Sequence, residues 1–125
     1  MDRAKTLVVL VDDDVPFLRA LERLVTLAGF TVLAFHHPED VLRTGLSSER
    51  GCLVLDLFMP GMDAVKLFDQ LRLAGNRLPV ILITGRQDER SQVLIDQIDC
   101  CGVLYKPFGI SELLAAIETA TGEAA

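Results

Sequence analysis

The sequence has no long apolar stretch and no run of basic residues. None of its apolar segments approaches the ~20 residues of a transmembrane helix, and the apolar run near the N-terminus is too short for a signal peptide. We therefore expect a cytoplasmic protein without membrane contact. Lys and Arg total 12 against 18 Asp and Glu, so the net charge is −6. This domain is not expected to bind nucleic acid directly, because neutralisation of phosphates dominates that affinity.

Cysteine is scarce, and repeats and linkers rich in Pro, Gly or Ser are absent. Cys52, Cys100 and Cys101 have no CxxC spacing and no histidine nearby, so we interpret them as buried thiols and expect no zinc site. The chain has 125 residues and is 50% hydrophobic, which is enough to form a core. We predict one domain over residues 1–125.

Five short apolar segments alternate with five amphipathic segments along the chain. The apolar segments are continuous Val, Leu and Ile runs, which are typical of strands covered on both faces. Alternating strands and helices favour right-handed crossovers and a parallel sheet. The predicted α/β doubly wound fold has strands at 7–11, 30–35, 52–58, 78–84 and 102–105, and helices at 15–29, 38–46, 62–75, 88–100 and 110–122. Ser111 or its neighbour is predicted to cap the last helix.

Polar side chains stand at the ends of four predicted strands. Asp12 and Asp13 follow the first strand, Asp56 lies near the end of the third, Thr84 ends the fourth and Lys106 follows the fifth. Because ligands bind at the carboxyl ends of parallel strands, we expect these side chains to form one site. Several carboxylates in one place require a proton or a cation, and all-oxygen ligands favour a hard ion such as Mg²⁺.

A carboxylate at this edge can act as a nucleophile toward phosphorus. Asp56 is the candidate, because an unpaired carboxylate has little structural use beside a buried strand. Mg²⁺ would bridge Asp56 and the phosphoryl group, Lys106 would contribute a charge and Thr84 a hydrogen bond. Taken alone, the acidic run at 12–14 fits a loop and helix cap equally well, and Thr84 and Lys106 are each uninformative.

Four motifs contain these residues: LVDDD at 10–14, VLDLFMPGMD at 54–63, ITG at 83–85 and KPF at 106–108. Together they resemble the receiver domain of two-component response regulators. Their spacing is similar to that of receiver domains with helix-turn-helix outputs, and the resemblance covers nearly the whole chain. It implies a flavodoxin-like three-layer sandwich whose five-stranded sheet has the order 2-1-3-4-5.

The resemblance also implies roles for individual residues. Asp56 would accept a phosphoryl group from a sensor histidine kinase or a phosphotransfer protein. Asp12 and Asp13 would hold Mg²⁺ together with Asp56 and the backbone carbonyl of Phe58. Such a domain is a phosphoacceptor that assists its own phosphorylation and dephosphorylation rather than an enzyme. Phe58 and Arg86 occupy positions that, in receiver domains, affect how fast the phosphoryl group is lost.

The resemblance assigns Lys106 to the phosphoryl group, next to a cis bond to Pro107, and makes Thr84 the switch hydroxyl. Receiver domains carry an aromatic residue three positions before this lysine, but here that residue is Val103. Tyr105 lies on the same face of the strand. We expect Tyr105 to be a surface anchor for a partner or a second subunit. The family's output surface comprises the fourth helix, fifth strand and fifth helix, through which a homodimer could form.

Two other functions fit part of the pattern. A phosphatase of the haloacid-dehalogenase type also uses a strand-end Asp with Mg²⁺, but it needs a second Asp two residues later, where this chain has Phe58. A receiver-like interaction module that is not regulated by phosphorylation is the main alternative. Val103 keeps this alternative open.

Overall fold

The computed structural model describes residues 2–46 and 50–122, and it contains one parallel five-stranded sheet in the order β2-β1-β3-β4-β5. The predicted fold class and strand order are confirmed. Among these described residues, no helix is both long and apolar enough to cross a membrane. The elements are β1 (Leu7–Val11), α1 (Val15–Leu27), β2 (Thr31–Phe35), α2 (Pro38–Thr44), β3 (Gly51–Asp56), α3 (Ala64–Leu73), β4 (Val80–Thr84), α4 (Glu89–Asp96), β5 (Gly102–Tyr105) and α5 (Ile110–Thr121), preceded by an unpredicted 3-10 helix at Arg3–Lys5.

The sheet separates two apolar layers. One layer packs against α1 and α5 and contains Val8, Leu10 and Val54. The other packs against α2, α3 and α4 and contains Val9 and Leu55. Successive strand residues point to opposite layers, and every residue of β3 and β4 is buried. Burial on both faces explains why these strands read as continuous apolar runs in the sequence.

The pairing of β1 with β3 determines which residues meet at the end of the sheet. Leu7 pairs with Gly51, and continuing this register places Asp12 beside Asp56. A Cβ atom at Gly51 would lie 2.0 Å from the carbonyl oxygen of Leu7, and the φ angle of Gly51 is +157°. Only glycine allows this close approach, so Gly51 fixes the register on which the site depends.

The start of α5 differs from the prediction. The N-cap residue is Gly109, and its N–H donates a hydrogen bond to the Glu112 carboxylate at 3.3 Å. Ser111 lies inside the first turn, so the cap predicted at Ser111 or its neighbour was wrong. The physical reason is that Glu112 reaches back to the N-cap amide, which supplies the reciprocal half of a capping box.

The cysteines have different environments. Cys52 is buried in β3, Cys100 is half-buried and Cys101 is exposed. The prediction of buried thiols is correct for Cys52 and wrong for Cys101. Cys101 immediately precedes β5, an edge strand whose residues are only partly buried, so its thiol is not enclosed.

Candidate functional site

Three carboxylates and one ammonium group meet at the carboxyl end of the sheet. Oxygen atoms of Asp12, Asp13 and Asp56 lie within 4.8 Å of one another. The Lys106 Nζ lies 2.8 Å from the Asp12 Oδ2 and 4.0 Å from the Asp56 Oδ2. Side chains alternate between the two faces along β1, β3 and β5. By this alternation, the side chains of Asp12, Asp56 and Lys106 lie on the face of the sheet that α1 and α5 cover. One ammonium group therefore lies beside two buried carboxylates, and Asp13 completes the acidic cluster.

Asp12 is almost fully buried, with 1% of its surface exposed. Its Oδ1 accepts a hydrogen bond from the Asp14 N–H at 2.9 Å. Its buried Oδ2 pairs with Lys106 but accepts no well-aligned hydrogen bond. A buried carboxylate oxygen with unused acceptor capacity is suited to a cation ligand.

Asp56 is buried at the end of β3, with 7% of its surface exposed. Its pKa is raised to about 8, chiefly by burial and then by the charge of Asp12, while Lys106 acts in the opposite direction. The carboxyl therefore retains a proton near neutral pH when no cation is present. A divalent cation would remove the electrostatic reason for holding that proton.

Lys106 is positioned by the backbone and by aromatic rings. The Lys106–Pro107 peptide bond is cis, as predicted. The Lys106 Nζ lies 4.3 Å from the centre of the Phe17 ring, which meets Phe108 edge-to-face at 5.8 Å. Phe17 lies in the first turn of α1, where its N–H donates to the capping Asp14 carboxylate at 3.3 Å. The aromatic pair thus supports the ammonium group beside the carboxylates.

Thr84 is fully buried at the end of β4. Its Oγ1 accepts a hydrogen bond from the Arg86 N–H at 3.1 Å and lies 3.5 Å from the Arg86 carbonyl oxygen. In this structure the hydroxyl therefore bonds within its own turn rather than to the carboxylate cluster.

Two arginine guanidinium groups lie over the ring of Phe58. The Arg86 Cζ lies 4.5 Å from the ring centre and the Arg90 Cζ lies 5.4 Å from it. Arg90, Phe58 and Asp13 line an open groove of about 560 Å³, together with Lys66 and the turn 59–63. Neither the contact of Arg90 with Phe58 nor the support of Lys106 by Phe17 is predictable from the sequence, because both pairs are distant along the chain.

The donor set fits Mg²⁺. The cluster offers only carboxylate oxygens, one of them the buried Asp12 Oδ2 with unused acceptor capacity. Hard divalent cations prefer such oxygens, and Mg²⁺ needs only one or two carboxylates because it keeps several waters. The ligand role of the Phe58 carbonyl stays a prediction.

Comparison with known proteins agrees with this geometry. Residues 8–118 match the family described as the response regulator receiver domain. The chain is 38% identical over 110 residues to the DNA-binding transcriptional regulator NtrC of Proteus hauseri, covering 88% of this chain and 23% of that protein. It is 32% identical over 117 residues to Nodulation protein W of Bradyrhizobium diazoefficiens, covering 94% and 52% respectively. The chain thus spans about a quarter of the length of one relative and about half of the length of the other.

Solved structures show the same architecture. The structure of FixJ-N superposes with a TM-score of 0.83 at 30% identity, and 96% of each chain is covered. The response regulator StyR superposes with a TM-score of 0.81 at 34% identity, covering 95% of this chain and 60% of that one.

Mg²⁺ is expected to raise the melting temperature of the protein. A cation that binds only the folded state stabilises it by about 2.7 kcal/mol at one hundred times the Kd. Asp13→Ala should abolish the rise, and Asp69→Ala, at an exposed position on α3, should retain it. Thermal unfolding across a MgCl₂ titration checks this, and a wild-type curve that does not move would contradict the site.

Asp56→Asn is expected to remove a pH dependence of stability. The folded state holds the Asp56 proton up to about pH 8, whereas the ordinary pKa is 3.8. The stabilisation is therefore complete below about pH 4 and is lost as the pH rises toward 8, a loss on the order of a few kcal/mol. Urea unfolding without divalent cations checks this. Asp69→Asn should retain the wild-type profile, and an unchanged profile in Asp56→Asn would refute the shift.

Proposed function

The chain belongs to the response regulator receiver domain family, and from this membership we propose that it is a phosphoacceptor signalling domain in which Asp56 receives the phosphoryl group. The observation that carries the proposal is the position of Asp56. This carboxyl is buried at the sheet edge, 4.0 Å from the Lys106 ammonium and beside the two carboxylates of a candidate cation site. Its oxygen is thus a nucleophile in an environment that offers charge neutralisation to incoming phosphoryl oxygens.

In the proposed reaction, an Asp56 oxygen attacks the phosphorus of a phosphohistidine on a sensor histidine kinase or phosphotransfer protein. The bond between phosphorus and nitrogen breaks, and its electron pair returns to the imidazole. Asp12, Asp13, Asp56 and the Phe58 carbonyl would hold Mg²⁺, which would supply positive charge for the phosphoryl oxygens. Lys106 would place its charge on another oxygen.

Thr84 has the role of the switch hydroxyl in this proposal. Its Oγ1 is held by the Arg86 N–H in the unphosphorylated structure. Donating to a phosphoryl oxygen would require the hydroxyl to turn away from the Arg86 turn. The bond to Arg86 therefore distinguishes the resting arrangement from the phosphorylated one.

A receiver-like module without phosphorylation control is the second candidate function. Val103 favours it, because this residue packs in the apolar layer under α2, α3 and α4 and offers no ring to follow the Thr84 hydroxyl. The buried ionic cluster favours phosphorylation instead, since burying Asp12 and Asp56 together is costly unless the site has a use. We also propose that residues 1–125 act as one domain in the cytoplasm.

Acetyl phosphate with Mg²⁺ is expected to add one phosphoryl group to the protein. Asp56→Asn should abolish the labelling. Lys106→Ala should slow it on the order of 10²-fold, because the positive charge that contacts the transferred phosphoryl group is lost. Intact-mass spectrometry measures the product. Asp69→Asn is the matched control and should label like wild type. A wild-type protein that is not labelled would favour the receiver-like module without phosphorylation control.

We propose that α4, β5 and α5 form the output surface and that a second copy of the chain binds there. Tyr105 is 37% exposed on the edge strand β5, and half-exposed tyrosines are favoured anchors in such contacts. Edge position and exposure both leave its ring accessible to another subunit.

Tyr105→Ala is expected to weaken dimerisation of the phosphorylated chain about tenfold, since interface anchors commonly contribute more than ~1 kcal/mol. Tyr105→Phe should retain most of the affinity because the ring remains. Sedimentation of phosphorylated protein measures the dimer Kd. If Tyr105→Ala dimerises like wild type, Tyr105 is not the anchor.

A further inference from the structure

Arg86 links the end of β4 to the start of α4. Its backbone N–H donates to the Thr84 Oγ1 at 3.1 Å. Its Nε and Nη2 donate to the Asp88 Oδ2 at 3.0 and 2.7 Å. The same guanidinium lies over the ring of Phe58, two residues after Asp56. One side chain therefore reaches from the phosphoacceptor segment to the N-terminus of α4.

Asp88 holds the first turn of α4. Its Oδ1 accepts hydrogen bonds from the Ser91 N–H at 2.9 Å and from the Ser91 hydroxyl at 2.7 Å. Ser91 is fully buried. Hydrogen bonds from Ser91, followed by the one from Arg86, lower the pKa of Asp88 to about 2. Asp88 is thus a charged cap, and Arg86 is bound to its second oxygen.

This chain lacks the aromatic residue that receiver domains carry at the position of Val103. Val103 lies on β5 within the apolar layer beneath α2, α3 and α4. It carries neither a ring nor a polar group that could follow the position of the Thr84 hydroxyl. The hydrogen bonds of Arg86 connect the turn after Thr84 with the cap of α4.

We propose that Arg86 transmits phosphorylation of Asp56 to α4 by exchanging its ion pair with Asp88 for one with the phosphoryl group. The inference rests on the proposed function, since it requires a phosphoryl group on Asp56. The consequence is that the first turn of α4 loses a contact that holds its cap in place. Arg86 is a positioning residue for the output surface in this scheme.

Charge and hydrogen-bond geometry favour the exchange. An aspartyl phosphate carries more negative charge than an aspartate, and guanidinium groups bind phosphoryl oxygens in a bidentate manner. The competing Asp88 pair is about half exposed to solvent on both sides, so it is weak. If Thr84 turns its hydroxyl to the phosphoryl group, the bond to the Arg86 N–H is lost as well. Phosphorylation would thereby break the hydrogen bonds of Arg86 with both Thr84 and Asp88. The turn between β4 and α4 then has two arrangements, one with these bonds and one without them.

Arg90 provides a matched control. Its guanidinium shares the Phe58 ring with Arg86, at 5.4 Å. Within the described part of the chain, however, Arg90 makes no ion pair with the α4 cap. Arg90→Met removes one guanidinium from this ring and leaves the Arg86–Asp88 ion pair in place.

The test is amide hydrogen exchange on the whole chain with and without Mg²⁺ and beryllium fluoride, a mimic of the phosphoryl group. In wild type, exchange at Ser91 and Gln92 should accelerate about fivefold or more when the mimic binds. In Arg86→Met the two states should exchange alike, and Arg86→Lys should restore part of the response because it retains the charge. Arg90→Met should respond like wild type.

A second variant separates the ion pair from other effects of Arg86. Asp88→Asn keeps an oxygen for the Ser91 hydrogen bonds but removes the charge that holds Arg86, so its α4 amides should also stop responding. Fluorine NMR measures how much mimic is bound, and the rates are compared at equal occupancy.

The outcomes distinguish the two proposals. If beryllium fluoride does not bind and acetyl phosphate does not label Asp56, the proposed function fails and this inference fails with it. If the mimic binds but α4 does not respond in wild type, only the role of Arg86 is overturned. A full response in Arg86→Met, or an equal loss in Arg90→Met, overturns it as well.

Discussion

The crowding of three aspartates at one edge of the sheet, with a lysine beside two of them, is the constraint on which the rest of the site depends. Asp12 and Asp56 are both buried, and Lys106 compensates only part of their charge. Such a cluster is stable only when a proton or a cation joins it. Burial, and after it the charge of Asp12, raises the pKa of Asp56. The same imbalance of charge makes the cluster receptive to a divalent cation.

The sheet holds these like charges together through features far from the site. Alternation along β1, β3 and β5 turns Asp12, Asp56 and Lys106 to one side, and the apolar layers on both faces leave them no freedom to separate. The Phe17 ring supports the lysine from α1. The repulsion is therefore balanced by the packing of the whole domain rather than by any one contact at the edge.

Much of the fold and of the candidate site could be predicted from the sequence because both depend on patterns of neighbouring residues. Continuous apolar runs mark buried strands, and polar residues at their ends mark the edge where Asp56 and Lys106 meet. Contacts between distant residues leave no such pattern. The aromatic support of Lys106 by Phe17 and the exposure of Cys101 depend on tertiary packing. The N-cap at Gly109 was not predicted because glycine has no capping side chain, and the hydrogen bond there is made by the Glu112 carboxylate.

The close contact between Gly51 and the Leu7 carbonyl fixes the position of the first residue of β3. The number of residues in the strand then determines where its last carboxylate lies. Inserting or deleting one residue between Gly51 and Asp56 would turn the carboxylate to the opposite face of the sheet. Two inserted residues would move it about 6.6 Å along the strand from its present position beside Lys106. Because the strand is apolar on both faces, such a chain could still bury its core. Length changes within β3 would therefore disrupt the site while leaving the chain able to fold.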